Sequence, residues 1–467
     1  MAELGFKFGA QWHGLCFLCK AEYRPYSTAE RICKSCIDRY RHHKFFRGVS
    51  DLGACFVTIV PEVDILINKE MHSGFSDILL GSETEAKDFP EILKPLFPSD
   101  PHLPCGQPVL LEAESLASFA GFSSAWVLDL SPYIWSGTLK DLRSWAVLSI
   151  AIEKNIKHLA VWTAGNAGLS IAKLVHRWNA AQRDPNTRRT VYCLVDAFAP
   201  SEIVVTLRSL QCRVAPISTG AGAVLSREQV YHVVSSLVEN PADLYDNYWQ
   251  VTDGWDGIGV FMYSLLARQS LYRLQSLLKE IQLKAENIYI VLPLGTGNLL
   301  LGFIRGMEKM TEKVEERSKI VAAVPYGDNM MTPFFADNHE ENGAPRMRRV
   351  APVAPKLTGF YSPLSPCLWH LTLNRDFSDP RAVEFIEVDR SSQIEAAARV
   401  FSLPRKAAVA SEPSAMIAFG ALKQLEQLIR DHGKKPDESA VIVVNSGFGI
   451  MGAEEQEFYT KSIFAFR

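Results

Sequence analysis

Five short stretches of this sequence carry residue types that could do chemistry. The first is Ser136-Gly137-Thr138-Leu139-Lys140-Asp141. A lysine flanked by small residues where a helix begins lies in the positive field of the helix N-terminus and partly out of water. Both effects favour the neutral amine that attacks carbonyl carbons in Schiff-base chemistry. A surface lysine in a first helical turn is the plainer reading. The second stretch, Thr163-Ala164-Gly165-Asn166-Ala167-Gly168, joins a strand-like run to a helix-like one. Its small residues leave backbone N–H groups open to an anion, and Asn166 adds a neutral donor and acceptor. A tight turn with Asn166 as helix cap fits the same letters. The third, Gly295-Thr296-Gly297-Asn298-Leu299, has the layout of a phosphate cradle at a helix start. It is not GxGxxG and lacks the Walker lysine, which argues against dinucleotides and nucleoside triphosphates. The fourth is Asn445-Ser446-Gly447-Phe448-Gly449. Both glycine-rich stretches also read as plain turns. The fifth is a cysteine quartet, Cys16-x2-Cys19 and Cys33-x2-Cys36, with 13 residues between the pairs. Four thiolates so spaced suit tetrahedral Zn²⁺ in a segment too small for its own core. Free thiols or disulfides are the alternatives, and His13, His42 and His43 read as surface residues.

The elements that must position these groups are legible around them. Ala125–Leu130, His158–Thr163, Thr190–Val195, Arg213–Ile217, Asn287–Pro293, Lys319–Pro325 and Ala440–Asn445 are short apolar runs with the look of strands. Helical patterns alternate with them at Asp141–Glu153, Ala167–Trp178, Ser201–Leu210, Ser226–Val238, from Gly257 to about Leu283, and at Glu412–His432. That alternation predicts an α/β chain with parallel sheets covered on both faces. In such sheets, ligands lie beyond the carboxyl ends of the strands, where four of the five stretches fall. The segment Tyr326 to Arg381, rich in Pro and Asn, reads as loops.

Bulk properties narrow the function classes. The chain has 467 residues, 47% hydrophobic and 22% charged, with a formal net charge of -3. Two or three domains fit that length. The charge balance gives no reason to expect nucleic acid or a membrane surface as partner. No secretory signal opens the sequence and no apolar run approaches the roughly 20 residues that span a bilayer. Nine cysteines, an odd count concentrated near the start, fit a cytoplasmic protein with metal or free thiols. The expected division is a zinc-ribbon-like segment at 1–45, an irregular connector at 46–104, a catalytic region at 105–455 and a tail at 456–467.

Taken together, in order and spacing, the motifs resemble those of the fold-type II pyridoxal-phosphate (PLP) enzymes, the tryptophan synthase β superfamily, and threonine synthases in particular. SGTLKD is similar to that family's SGSFKD, and TAGN, 26 residues beyond Lys140, to its SGNT loop. GTGN at Gly295–Asn298 resembles its GTGG cradle. Ser446 stands where a Thr or Ser precedes GxG, and Glu412-Pro413-Ser414 matches an EPS signature. Gly106-Gln107-Pro108-Val109-Leu110-Leu111 resembles the family's G-T-P-L opening. The resemblance implies two doubly wound parallel-sheet lobes over about 105–455, with a small four-cysteine zinc ribbon before them. It further implies that Lys140 binds the cofactor covalently and carries the α-proton. Asn166 would meet the cofactor's 3-hydroxyl, and Gly295, Thr296, Gly297, Asn298 and Leu299 its phosphate. Ser446 would face the pyridine nitrogen, and Thr163, Ala164, Gly165, Asn166 and Ala167 the substrate carboxylate. A hydroxyl at the ring nitrogen suits elimination and replacement better than transamination.

The reaction implied is that of a lyase or synthase on a small amino acid, first an O-phosphorylated one such as O-phosphohomoserine. Asp253-Gly254-Trp255-Asp256-Gly257 resembles a stretch of cysteate synthases, which replace phosphate with sulfite. A β-replacement or deaminating enzyme acting on an unphosphorylated amino acid is the second reading. A non-catalytic binding protein on the same fold is the third. Leu139 stands where the family has Phe, and Leu142 where threonine synthases often have Arg. Arg143 and Lys154 are candidates for a substrate phosphate, with solvated helix charges as the alternative. A homodimer is expected from the family alone.

Overall fold

This computed structural model describes residues 14–15, 22–23, 109–133, 135–153, 155–163, 165–196, 199–217, 227–244, 247–251, 257–280, 287–295, 297–307, 318–326, 383–401, 409–451, 455–457 and 460. Cys16, Cys19, Cys33, Cys36, Ala164, Thr296, Lys154 and the connector at 46–104 lie outside them. In chain order the elements are β1 (Gly14–Leu15), β2 (Glu22–Tyr23), β3 (Val109–Glu112), α1 (Glu114–Ala120), β4 (Ser124–Asp129), α2 (Lys140–Glu153), β5 (His158–Thr163) and α3 (Asn166–Ala181). Next come β6 (Thr190–Asp196), α4 (Ser201–Ser209), β7 (Arg213–Ile217), α5 (Arg227–Leu237), β8 (Tyr248–Gln250), α6 (Gly257–Glu280), β9 (Asn287–Pro293) and α7 (Asn298–Met307). The remainder are β10 (Ser318–Pro325), β11 (Glu384–Val388), α8 (Arg390–Phe401), α9 (Pro413–Gly420), α10 (Leu422–Asp431) and β12 (Ser439–Asn445).

Two sheets organise the chain. One has six strands in the order β11-β10-β9-β12-β4-β3, and the other four in the order β7-β6-β5-β8. The four-stranded sheet is parallel throughout. The six-stranded sheet is parallel except at its edge, where β3 runs antiparallel to β4. β1 and β2 form a separate antiparallel pair.

Side-chain alternation explains why the strands are covered twice. In β4, Trp126 and Leu128 enter one core, and Ala125 and Val127 enter another. β9 and β12 repeat the pattern: Ile290 and Ile442 go one way, Val291 and Val443 the other. Apolar residues on both faces of a strand need a layer on each side, and helices reached by parallel crossovers supply it. In β5, Leu159 and Val161 join the first core, while Ala160 and Trp162 face a third. The first core therefore lies between the two sheets, filled by α2 and α6 through Leu142, Trp145, Leu148, Met262 and Leu266. Trp145 is fully buried there. Truncating it to alanine removes about 3–5 kcal/mol.

The single helix expected over Glu412–His432 is two, α9 and α10, broken at Ala421. Gly420 is the last residue of α9, just before that break. A Cβ there would approach Val388 Cγ1 to 2.5 Å and Gln393 Cα to 3.3 Å, so the helix passes too close to its neighbours for a side chain. β11 and α8 fall beyond the part of the sequence read as loops and were not assigned from pattern. Among the described residues, no helix is long and apolar enough to cross a membrane.

Candidate active site

β4, β12 and β9 are parallel neighbours, so their carboxyl ends lie side by side on one edge of the sheet. The loop after β4 leads to Lys140, the loop after β12 carries Ser446, and the loop after β9 is Gly295–Asn298. The first two are bonded together directly. Leu139 donates its amide to the Ser446 carbonyl at 2.9 Å, and Phe448 donates to the Gly137 carbonyl at 2.7 Å. Thr138 and Gly447 form an isolated antiparallel bridge between these bonds. The approach depends on glycine. Gly137 has φ +71°, and a Cβ on it would come within 2.6 Å of the Phe448 carbonyl oxygen. Gly447 has φ +134°, and its Cβ would meet Thr138 Cα at 2.5 Å.

Lys140 is the first residue of α2 and is partly buried. Its neighbour Asp141 holds the loop in shape. The Asp141 carboxylate, fully buried, accepts from the Trp135 amide at 2.7 Å, the Ser136 amide at 3.0 Å and the Ser136 hydroxyl at 2.7 Å. It also accepts from Ser170 of α3 at 2.6 Å. Burial pushes this carboxyl above the usual carboxylate range, and the bonds from Ser170, Ser136 and Trp135 oppose that rise. One carboxylate thus ties the lysine loop to the helix that begins at Asn166.

Beneath Ser446, Asp129 and Asn445 fix the two strand ends. Asn445 Nδ2 donates to Asp129 Oδ1 and to the Ala410 carbonyl, each at 2.7 Å. Asp129 accepts from both the amide and the hydroxyl of Ser131 at 3.0 Å. Burial raises the Asp129 carboxyl, with the bonds from Ser131 and Asn445 working against it. Ser446 itself is 8% exposed.

The turn after β5 is shaped by Thr163. Its Oγ1 accepts from the amides of Gly165 and Gly168, each at 3.0 Å. The Gly165 amide is thus turned toward the Thr163 side chain. The amides of Asn166 and Ala167, which open α3, have no acceptor within the helix. Asn166 is also held from the other sheet. Its Nδ2 donates to both oxygens of Glu412, at 3.0 and 3.1 Å, and Glu412 Oε2 accepts the Gly449 amide at 3.3 Å. Glu412 donates its own amide to the Gly447 carbonyl at 3.0 Å. The oxygen of the Asn166 amide is buried and meets no hydrogen-bond donor among the described residues.

The third loop ends in α7. Gly297 has φ +91° and its carbonyl accepts from Leu301, so the amides of Leu299 and Leu300 open the helix without intrahelical acceptors. Such an end attracts an anion. Asn298 is fully buried, packed so closely on α6 that a Cβ at Gly259 would reach its Nδ2 at 2.9 Å.

Arg143 corrects the sequence reading. It is 2% exposed, not a solvated helix charge, and its Nη2 donates to the Val251 carbonyl at 2.7 Å. Glu412 was recognised only as part of a motif, without a role, and Asp141 and Asn445 were assigned none. Their most distant partners, Ser170, Asn166 and Asp129, lie 29, 246 and 316 residues away, so spacing along the chain carried no sign of them. Among the described residues, no group of three or more His, Cys, Asp and Glu could hold a metal. The cysteine quartet lies outside them.

No protein-family model and no curated protein sequence matches this chain. A solved structure does: the L-serine ammonia-lyase of the fungus Rhizomucor miehei, at TM-score 0.50 and 17% identity, over 76% of this chain and 98% of that one. The likeness is one of fold. It extends over nearly the whole of that enzyme.

Proposed function

We propose that the chain is a PLP-dependent lyase or synthase that eliminates or replaces a β or γ substituent of a small amino acid. The observation that carries this reading is the bonded pair of loops, Gly137–Lys140 and Ser446–Phe448, at the carboxyl ends of adjacent strands. They set Lys140, at a helix start, in a loop bonded to that of Ser446, with the anion-ready start of α7 beyond the next strand. The site fits the cofactor on its own chemistry. Lys140 offers an amine to an aldehyde, the start of α7 offers the Leu299 and Leu300 amides to a phosphate, and among the described residues the buried Asn166 Oδ1 meets no donor of the kind a ring hydroxyl would supply. When bound, PLP supplies an electron sink for the carbanion formed at the substrate's α-carbon.

This chain's residues do the rest. Lys140 holds the cofactor and moves the α-proton. Ser446 meets the pyridine nitrogen with a neutral hydroxyl, which leaves the ring a weaker sink and directs the chemistry to elimination. Asn166 and Ala167 offer amides to the substrate carboxylate. Asp141 and Glu412 keep these groups in register.

For the substrate, the motif set favours an O-phosphorylated amino acid, with O-phosphohomoserine first and O-phosphoserine plus sulfite next. A second reading is favoured by the shared fold: the L-serine ammonia-lyase suggests an unphosphorylated hydroxy amino acid. Phosphate release from each phosphorylated amino acid, and ammonia release from serine and threonine, separate the two in the PLP-loaded protein. No product from any of them leaves the binding-protein reading. For Cys16, Cys19, Cys33 and Cys36 we propose structural Zn²⁺ on spacing alone. Metal analysis of the intact protein checks it, and absence of zinc with four titratable N-terminal thiols removes it.

A further inference from the structure

Glu412 settles which way round the Asn166 side chain lies. A carboxylate only accepts hydrogen bonds, so the contacts at 3.0 and 3.1 Å come from Nδ2. Glu412 is 4% exposed, and its Oε2 also takes the Gly449 amide. Turning the amide over would set its oxygen against two carboxylate oxygens away from water, which buried polar groups do not tolerate. The acceptor end, Oδ1, is therefore fixed on the side away from Glu412. It is buried, and among the described residues it meets no donor. Gly449 packs against the outer end of the amide: a Cβ there would strike it, meeting Oδ1 before Nδ2.

We propose that Glu412 is a positioning residue that presents Asn166 to the bound cofactor as a hydrogen-bond acceptor, so that the cofactor's phenolic oxygen is held in its protonated form. This rests on the PLP reading above. In the lysine-linked cofactor a single proton is shared between that oxygen and the nitrogen joining it to Lys140. A donor beside the oxygen favours its anion, and an acceptor favours the neutral phenol. The carboxylate behind the amide strengthens the effect, because a negative charge on the donor end polarises the acceptor end. The form with the proton on oxygen absorbs in the near ultraviolet, and the form with the proton on nitrogen absorbs in the visible.

The test is the absorption spectrum of the full-length, PLP-loaded protein at neutral pH, with borohydride reduction to verify the bond to Lys140. The wild type is expected to show a dominant near-ultraviolet band. In Glu412→Gln the partner can itself donate, the Asn166 amide turns over, and its Nδ2 faces the phenolic oxygen. The ratio of near-ultraviolet to visible absorption should then fall about tenfold, one pKa unit in the phenol, with the Lys140 bond intact. Asn166→Ala removes the acceptor and should move the ratio the same way, which covers the case in which Glu412→Gln fails to fold. A role for Glu412 in stability alone would weaken cofactor binding without moving the bands. A wild-type spectrum dominated by the visible band, or a ratio unchanged in the variants while Lys140 remains reducibly linked, overturns the proposal and leaves the PLP reading standing. Absence of any reducible link in the wild type overturns both.

Discussion

The Ser170 hydroxyl donates to the Asp141 carboxylate at 2.6 Å, and water reaches neither residue. Ser170 belongs to the helix that opens with Asn166, and Asp141 follows Lys140. Replacing Asp141 by alanine leaves the Trp135 and Ser136 amides and the Ser170 hydroxyl without an acceptor in a dry site. Each such group costs about 1–3 kcal/mol, so a loss of about 3 kcal/mol or more is expected. Chemical denaturation measures it. A change below about 1 kcal/mol would show that the network does not hold the loop.

Lys140→Ala should abolish the covalent bond to PLP, read as loss of the borohydride-reduced adduct in the intact mass. Activity on whichever amino acid the wild type uses should fall on the order of 10³-fold, the usual contribution of a positioned proton carrier. The fold should survive, because a half-buried side chain at a helix start carries little packing. A reducible adduct that persists in Lys140→Ala removes this residue from its role.

Gly447→Ala and Gly433→Ala form a matched pair. Both glycines have positive φ, but Gly433 faces open space while a Cβ on Gly447 runs into Thr138. Gly433→Ala should lower stability by about 1 kcal/mol from backbone conformation alone. Gly447→Ala should lower it by about 2–3 kcal/mol and weaken cofactor binding, because the Ser446 loop has to retreat from Lys140. Equal effects of the two would mean that the close approach is not needed.

His158 makes folding stability depend on pH. Its Nδ1 lies 3.0 Å from the Tyr192 hydroxyl. Burial holds its pKa below the ordinary 6.5, the Asp243 charge opposing and the Lys157 charge adding. The folded chain therefore resists protonation that the unfolded chain accepts. The His158 contribution is present in full above 6.5 and is lost as pH falls through the depressed value. Denaturation midpoints between about pH 8 and pH 5 should drop more steeply for the wild type than for His158→Gln. Parallel profiles would exclude His158 as the source.

The sequence announced those parts of the fold whose cause is local. Asn287–Pro293 and His158–Thr163 are apolar runs apart from the polar residues at their ends, and both are strands with those bounds. What it did not announce is set by distant partners. Arg143 reads as solvated because charged residues on helices usually are, yet a carbonyl 108 residues later takes it into the interior. The helix over Glu412–His432 is continuous by pattern and divides where Gly420 meets Val388. β3 is four residues long and gains its place only by pairing with β4. In the site, the lysine, the asparagine and the glycine turns were visible as types. The carboxylates that hold them, Asp141 and Glu412, looked like helix-start residues among many.

Among the described residues β12 follows every other strand, yet it stands in the middle of its sheet, between β9 and β4. Asn445 reaches back 316 residues to Asp129. While the chain is still being synthesised, β4 and β9 have no strand between them until Ser439–Asn445 has left the ribosome. Until then Lys140 has no Ser446 loop beside it and Asn166 has no Gly449 against it. Pairings of such sequence separation form late and slowly. A chain cut short before β12 consequently lacks the Ser446 side of the site and the Asn445 tie to Asp129.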